Sequence, residues 1–220
     1  MPNASDLVYA ELRRRLMSGA FLPGERLREE RIANELDVSR TPVRSAIERL
    51  INDGLVTRAE RRGAVVLGWL ERDITEAFEL RLLLEPYAAR SAALRANAQQ
   101  IDELAEINAS MLRAVQSADE DRVAQIQHYN NRFHHALLAA AQSARVRTLV
   151  ESLLDLPIII GSFYFYSHDD MLSSVEQHNQ IIAAIRAHDP DYAESAMRLH
   201  LTATHRLFRN QRKTTPKTDN

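Results

Sequence analysis

The chain contains no cysteine. Disulfide frameworks and thiolate metal sites are therefore excluded. No apolar run approaches the roughly 18 residues that a bilayer-spanning helix requires. The opening stretch MPNASDLVYAELRRRL lacks the basic-then-apolar order of a secretory signal. These absences make a cytoplasmic protein with no membrane partner the expectation. There is no Ser/Gly-rich spacer and no internal repeat, so any two domains are closely coupled. Strong charge of either sign is also missing. The net charge is −2, and the halves differ only slightly, with 12 Lys or Arg against 10 Asp or Glu in residues 1–68 and 16 against 20 in the rest. Bulk charge does not announce a nucleic-acid partner, but a small reading head needs only a local basic surface. What is present is a hydrophobic fraction of 45% in 220 residues, enough for one large core or two small ones.

The most informative stretch is VSRTPVRSAIERLINDGLV, from Val38 to Val56. Thr41-Pro42 is a helix-start signal, with Ser39 as a competing cap. Val43, Ala46, Ile47, Leu50 and Ile51 recur at helical spacing and form one apolar face. Arg40, Arg44 and Ser45 fall away from that face, and Gly54 ends the helix. Two arginines at an exposed helix start suit phosphates and guanine edges in a major groove. Equally open is a solvated face with Arg44 paired to Glu48 one turn on.

The neighbouring segments decide between these readings. Val8, Leu12 and Leu16 place a first helix over about residues 5–18, and Ile32, Ala33 and Leu36 a second over about 29–36. Leu55–Arg58 and Ala64–Leu67 read as strands joined by the charged loop Ala59-Glu60-Arg61-Arg62-Gly63. Three helices and a two-stranded ribbon make a winged helix-turn-helix, whose third helix enters the major groove. The wing would carry Arg61, Arg62 and Gly63.

The run PGERLREERIANELDVSRTPVRSAIERLINDGLV resembles the DNA-binding domain of the GntR family of bacterial transcription regulators, over nearly all of residues 5–68. The resemblance implies DNA contacts from Arg40, Thr41 and Arg44 in the recognition helix, with Ser39 at its start, and from Gly63, beside Arg62, in the wing. Where some members carry a DNA-contacting arginine in the second helix, this chain has Glu30, so Arg28 or Arg31 substitutes or the contact is absent.

Residues 69–73 read as a linker. From Ile74 onward the chain reads as helices alone, over about 73–95, 99–117, 121–141, 145–165, 173–187 and 190–211, with Pro157 kinking or dividing the fourth and a polar, disordered tail over 212–220. The fold class expected is mainly α, a winged helix-turn-helix followed by an all-α bundle over 74–211. Asn130 and His134 are four apart and project from one helix face. Ile181, Ile182 and Ile185 turn the His178 face inward, and Met197, Leu201 and Thr204 flank His200 at helical spacing. Taken singly, each histidine is more often a core or surface residue. Together, three imidazoles and an amide oxygen can hold a divalent ion of the zinc, nickel or manganese type.

The pieces ELRLLLEPYAARSAA, NNRFHHALLAAAQS, EQHNQIIAAIRAHD and AMRLH resemble the FCD ligand-binding domain of the FadR-type branch of that family. The resemblance implies a metal site of Asn130, His134, His178 and His200, with a neutral amide where other members have a carboxylate. It also implies that Arg81 faces the cavity and grips an effector carboxylate. An ion pair from Arg81 to Glu85 is the other reading at that position.

The function expected is a transcription regulator of repressor type. It acts as a homodimer on a near-palindromic operator and is switched by a small organic acid at the metal site. The alternatives are a metal-responsive regulator with the ion itself as effector and a metal-dependent hydrolase. Against the hydrolase, the chain has no H-E-x-x-H helix and no E-x-x-H pair.

Overall fold

Two units divide the chain, one of Met1–Asp73 with Asn210–Asn220 and the other of Ile74–Arg209. The structure is a computed structural model that describes residues 3–17, 20–22, 24–59, 63–67, 71–119, 121–154, 163 and 166–214.

In the first unit, α1 (Ala4–Met17) packs on α3 (Arg40–Asn52), and α2 (Glu29–Glu35) packs on the same helix. The faces that meet are those set by helical spacing. Val8, Leu12, Ile32, Ala33, Val43, Ala46, Ile47 and Leu50 are all buried. Removing each larger aliphatic side chain from water contributes about 2 kcal/mol. The α1–α3 contact is fastened at its rim, where Arg49 Nη1 reaches Asp6 Oδ1 at 2.7 Å and stacks over the Tyr9 ring. Ser39 is the N-cap residue of α3, with extended backbone, so Thr41 and Pro42 lie inside the first turn. Pro42 costs nothing there, because N–H groups of the first turn have no helical partner. Gly54, at φ 68°, ends the helix, and the Leu55 N–H returns to the Leu50 carbonyl at 3.0 Å.

The wing has three strands, where the sequence indicated two. β2 (Val56–Arg58) and β3 (Ala64–Val66) pair antiparallel as expected, and β1 (Arg26–Leu27) pairs with the far edge of β3, in the order β1-β3-β2. A two-residue strand has no room for alternation, so no sequence period marks it. Gly63 makes this sheet possible. Its φ is 111°, and a Cβ there would collide with the Leu27 carbonyl on β1.

The second unit is a bundle of α4 (Glu71–Arg95), α5 (Ala98–Gln116), α6 (Arg122–Ala140), α7 (Ala144–Leu154), α8 (His168–Arg186) and α9 (Pro190–Thr214). Its fold class is the mainly α one expected. α5 packs on both α6 and α8. The C-terminal part of α4 faces the core through Ala88, Ala89, Ala92 and Ala93, with Ala96 just past its end, and these small side chains meet Leu137, Ile181, Ile185 and Met197 in one cluster.

Helix limits depart from expectation at three places. α4 starts at Glu71, inside the expected linker. α8 starts at His168 and not near 173, because Ser167 and Asp170 form a reciprocal capping box. α9 runs to Thr214, past the expected end. α7 is described only to Leu154, and Pro157 lies outside the described residues. Pro86 sits inside α4 without ending it. A proline leaves the carbonyl four residues back without its donor. That carbonyl, Leu82 O, accepts from Arg198 Nη1 of α9 at 3.3 Å.

Gly63→Ala should therefore destabilise the winged head by about 1–3 kcal/mol, through a strained left-handed backbone and a displaced β1. Thermal unfolding followed by circular dichroism checks it, and an unchanged first transition would contradict this account of the wing.

Candidate metal centre and DNA-binding head

The head exposes its arginines where the sequence placed them. Arg40, Thr41 and Arg44 are exposed at the start of α3 and line a shallow cleft with Glu29. Arg40 Nη2 lies 3.6 Å from Glu29 Oε2. The pairing of Arg44 with Glu48 does not form. Glu48 is held instead by Arg58, with Nη1–Oε1 at 2.9 Å and Nη2–Oε2 at 2.6 Å, and Arg44 has no ion pair among the described residues. Ser39 and Arg28 are the exposed N-cap residues of α3 and α2. Arg31 is engaged by Glu35 at 2.7 Å and Glu25 at 3.4 Å, which leaves Arg28 the less encumbered of the two. Arg62 lies outside the described residues.

The bundle gathers His134 of α6, His178 of α8 and His200 of α9, all buried. One ring nitrogen from each lies within 4.8 Å of the others. His178 is clamped by Phe133, whose ring stacks on it at 3.9 Å between centroids. Each Nδ1 has a partner on a different side: Glu85 Oε2 at 2.5 Å for His134, Asn108 Oδ1 at 3.1 Å for His178, and Gln177 Oε1 at 2.9 Å for His200. Asn108 is itself held by donating from Nδ2 to the Val175 carbonyl and to Asn179 Oδ1. The buried polar atoms of this unit without a hydrogen-bond partner among the described residues include His178 Nε2 and Asn130 Oδ1, with Ser174 Oγ, Tyr166 Oη and His205 Nε2. Asn130 stands one turn before His134 on α6.

This set fits a divalent cation. Nitrogen and amide-oxygen donors suit ions of the zinc, nickel or manganese type. Outer Nδ1 partners of this kind are what orient metal-binding imidazoles. Burial, reinforced by the neighbouring histidines, holds the His178 imidazolium well below its ordinary pKa. Burial, with His134 and Arg81, lowers His200 to about 3 against the opposing pull of Glu85. Both rings are thus neutral at neutral pH, which is the ligating form.

Arg81 is buried, and its Nε donates to Glu85 Oε1 at 2.6 Å, with the guanidinium 5.4 Å from the centre of the Phe78 ring. The ion pair suggested by the spacing is therefore formed. No hydrogen bond engages its two terminal nitrogens among the described residues. Desolvation would raise the Glu85 pKa, but Arg81 and His134 outweigh it and hold the carboxyl well below the usual range. Sequence reasoning missed Asn108 and Gln177 and saw in Glu85 only a partner for Arg81. The one available signal was Asn108, a polar residue within the apolar face of α5.

A winged reading head joined to a helical bundle with a buried polar centre defines a class, the two-domain transcription regulators. Residues 4–66 match "Bacterial regulatory proteins, gntR family", and residues 76–203 match the FCD domain. The chain belongs to the GntR family and is a DNA-binding transcription regulator with a C-terminal FCD domain. It is 29% identical over 190 residues to the gluconate operon transcriptional repressor of Bacillus subtilis, covering 83% of this chain and 75% of that one. It is 25% identical over 193 residues to the HTH-type transcriptional regulator YdhC of the same organism, covering 87% and 85%. Among solved structures, Escherichia coli McbR/YncC superposes with a TM-score of 0.62 at 22% identity, covering 96% of this chain and 99% of that one. These relatives are transcription regulators and not enzymes, which removes the hydrolase alternative. No helix among the described residues is long and apolar enough to cross a membrane.

Proposed function

We propose that this regulator is a repressor whose operator affinity is set by a small organic acid bound at a divalent-metal centre of Asn130, His134, His178 and His200. The observation that carries the reading is the pair of partnerless buried atoms, His178 Nε2 and Asn130 Oδ1. Leaving such atoms desolvated and unpaired costs about 1–3 kcal/mol each. A cation accepting both lone pairs removes that cost. The four ligands are neutral, so the bound ion keeps its charge and favours an anionic effector. The terminal nitrogens of Arg81 are available for the effector's carboxylate. Relatives named as repressors of the gluconate operon and, with the qualifier "Probable", of a D-xylose utilization operon support the direction of control.

In the DNA complex, Arg40, Thr41 and Arg44 meet the major groove, with Ser39 and Arg28 beside them and Gly63 and Arg62 in the wing. Two heads are needed to read a two-fold operator. An apolar stripe along α4 supports a homodimer, since Leu80, Leu83, Tyr87 and Leu94 are exposed on one helical face. Light scattering at micromolar concentration should give about twice the 25.0 kDa chain mass. A monomer that binds its operator tightly would refute this arrangement.

Arg44→Ala should weaken operator binding by about 1–3 kcal/mol and relax specificity at one base position if Arg44 reads a base edge. A phosphate-bound Arg44 would instead lower affinity for all sequences alike. Normal binding by both Arg44→Ala and Arg40→Ala would overturn the assignment. For the metal, elemental analysis of untagged protein should find one divalent ion per chain in the wild type and none in His134→Ala or His178→Ala. Those variants should also lose the response to carboxylates. Absence of stoichiometric metal in the wild type after incubation with zinc, nickel and manganese would rule the centre out.

A further inference from the structure

The outer partners of the three histidines differ in charge. His178 and His200 face amide oxygens, of Asn108 and Gln177, whereas His134 Nδ1 faces a carboxylate, Glu85 Oε2 at 2.5 Å. Gln177 can turn either its amide oxygen or its NH₂ toward His200, whereas the two bonds given by Asn108 Nδ2 keep its oxygen toward His178. An ionised carboxylate only accepts. Beside Glu85, the His134 proton belongs on Nδ1, which leaves the Nε2 lone pair to the cluster.

Glu85 is wholly buried, and its second oxygen accepts from Arg81 Nε at 2.6 Å. A buried ion pair of this kind is a poor source of stability, since apolar side chains of similar volume generally do as well or better. Its presence within an alanine- and leucine-rich core calls for another reason. The turn that carries it is also anchored. Pro86 follows Glu85, and the carbonyl that Pro86 leaves without a donor, Leu82 O, is taken by Arg198 of α9, the helix that bears His200.

We propose that Glu85 is a positioning residue of the metal centre, holding His134 as the Nδ1–H tautomer with Nε2 presented to the ion, while Arg81 fixes the carboxylate in place. The inference rests on the metal reading given above and adds a residue that is not itself a ligand. It makes Glu85 the link between the metal ligand on α6 and the effector-facing arginine on α4. An effector carboxylate that engages Arg81 thereby acts on the same carboxylate that orients His134.

The test is the zinc dissociation constant of the full-length chain, measured by competition with a chromophoric chelator. Glu85→Gln should keep one site per chain and an unchanged far-ultraviolet circular dichroism spectrum, yet bind zinc about tenfold or more weakly. Arg81→Gln/Glu85→Gln removes both charges together and should show the same loss. It replaces the single variant if an unpaired Arg81 prevents folding. A dissociation constant within about twofold of wild type, in either folded variant, would overturn the role. Nitrogen-15 histidine spectra of the metal-free wild type give a second readout that needs no variant. His134 should be the Nδ1–H tautomer, and an Nε2–H tautomer would overturn the proposal. A wild type that binds no zinc instead overturns the metal centre itself, and with it this role. That outcome is distinct from a zinc-binding wild type beside an unimpaired variant.

Discussion

Taking three imidazoles, a guanidinium and a carboxylate out of water at the centre of a helical bundle costs free energy that the surrounding packing must offset. Much of the C-terminal unit follows from that constraint. The His178 and His200 imidazoles are held neutral by burial, so no positive charge accumulates on those two rings. The one carboxylate is ionised but compensated on both oxygens, by Arg81 and His134. The alanine face of α4 lets neighbouring helices approach closely, and Leu137, Ile181, Ile185 and Met197 fill the layer beyond it. Each such large side chain contributes about 2–3 kcal/mol when buried. Several of them offset a polar centre of this size, and His178 Nε2 and Asn130 Oδ1 are among the buried atoms left without a hydrogen-bond partner among the described residues.

The head obeys the opposite constraint. Its functional charges have to stay wet and available. Arg40 is only loosely held by Glu29 at 3.6 Å, and exposed pairs of that kind contribute about 1 kcal/mol or less. Such a pair is readily exchanged for a phosphate. Arg58 performs a related service by occupying Glu48. Had Glu48 been free, it would sit one turn from Arg44 and compete for it with the DNA contact proposed above. Rigid positioning comes from elsewhere, from the buried face of α3 and from the tight approach of Gly63 to β1.

The two units are covalently continuous through α4, which begins at Glu71 and carries Arg81 and Glu85 on its third and fourth turns. The same helix therefore receives the chain from the head and carries Arg81, the residue proposed above to grip the effector. Differential affinity of a ligand for two arrangements of this helix is what would alter operator affinity, and no other physical source of regulation is required.

Periodicity alone determined the mainly α class, the winged head and the inward faces of α6, α8 and α9, because these follow from where apolar residues recur along single helices. The same reasoning placed His178 and His200 on patterned faces and His134 on one face with Asn130, but it was the resemblance to the FCD domain that singled the three out as a set. Periodicity reached the exposure of Arg40 and Arg44 for the converse reason. What it could not decide were relations between segments distant in the chain. β1 has only two residues and exists because β3 offers it an edge. The choice of Glu48 between Arg44 and Arg58 depends on β2 folding back over α3. Glu85 meets His134 across 49 residues and Asn108 meets His178 across 70. No local period encodes such pairings, since they form only when helices pack and burial forces each polar atom to find a partner.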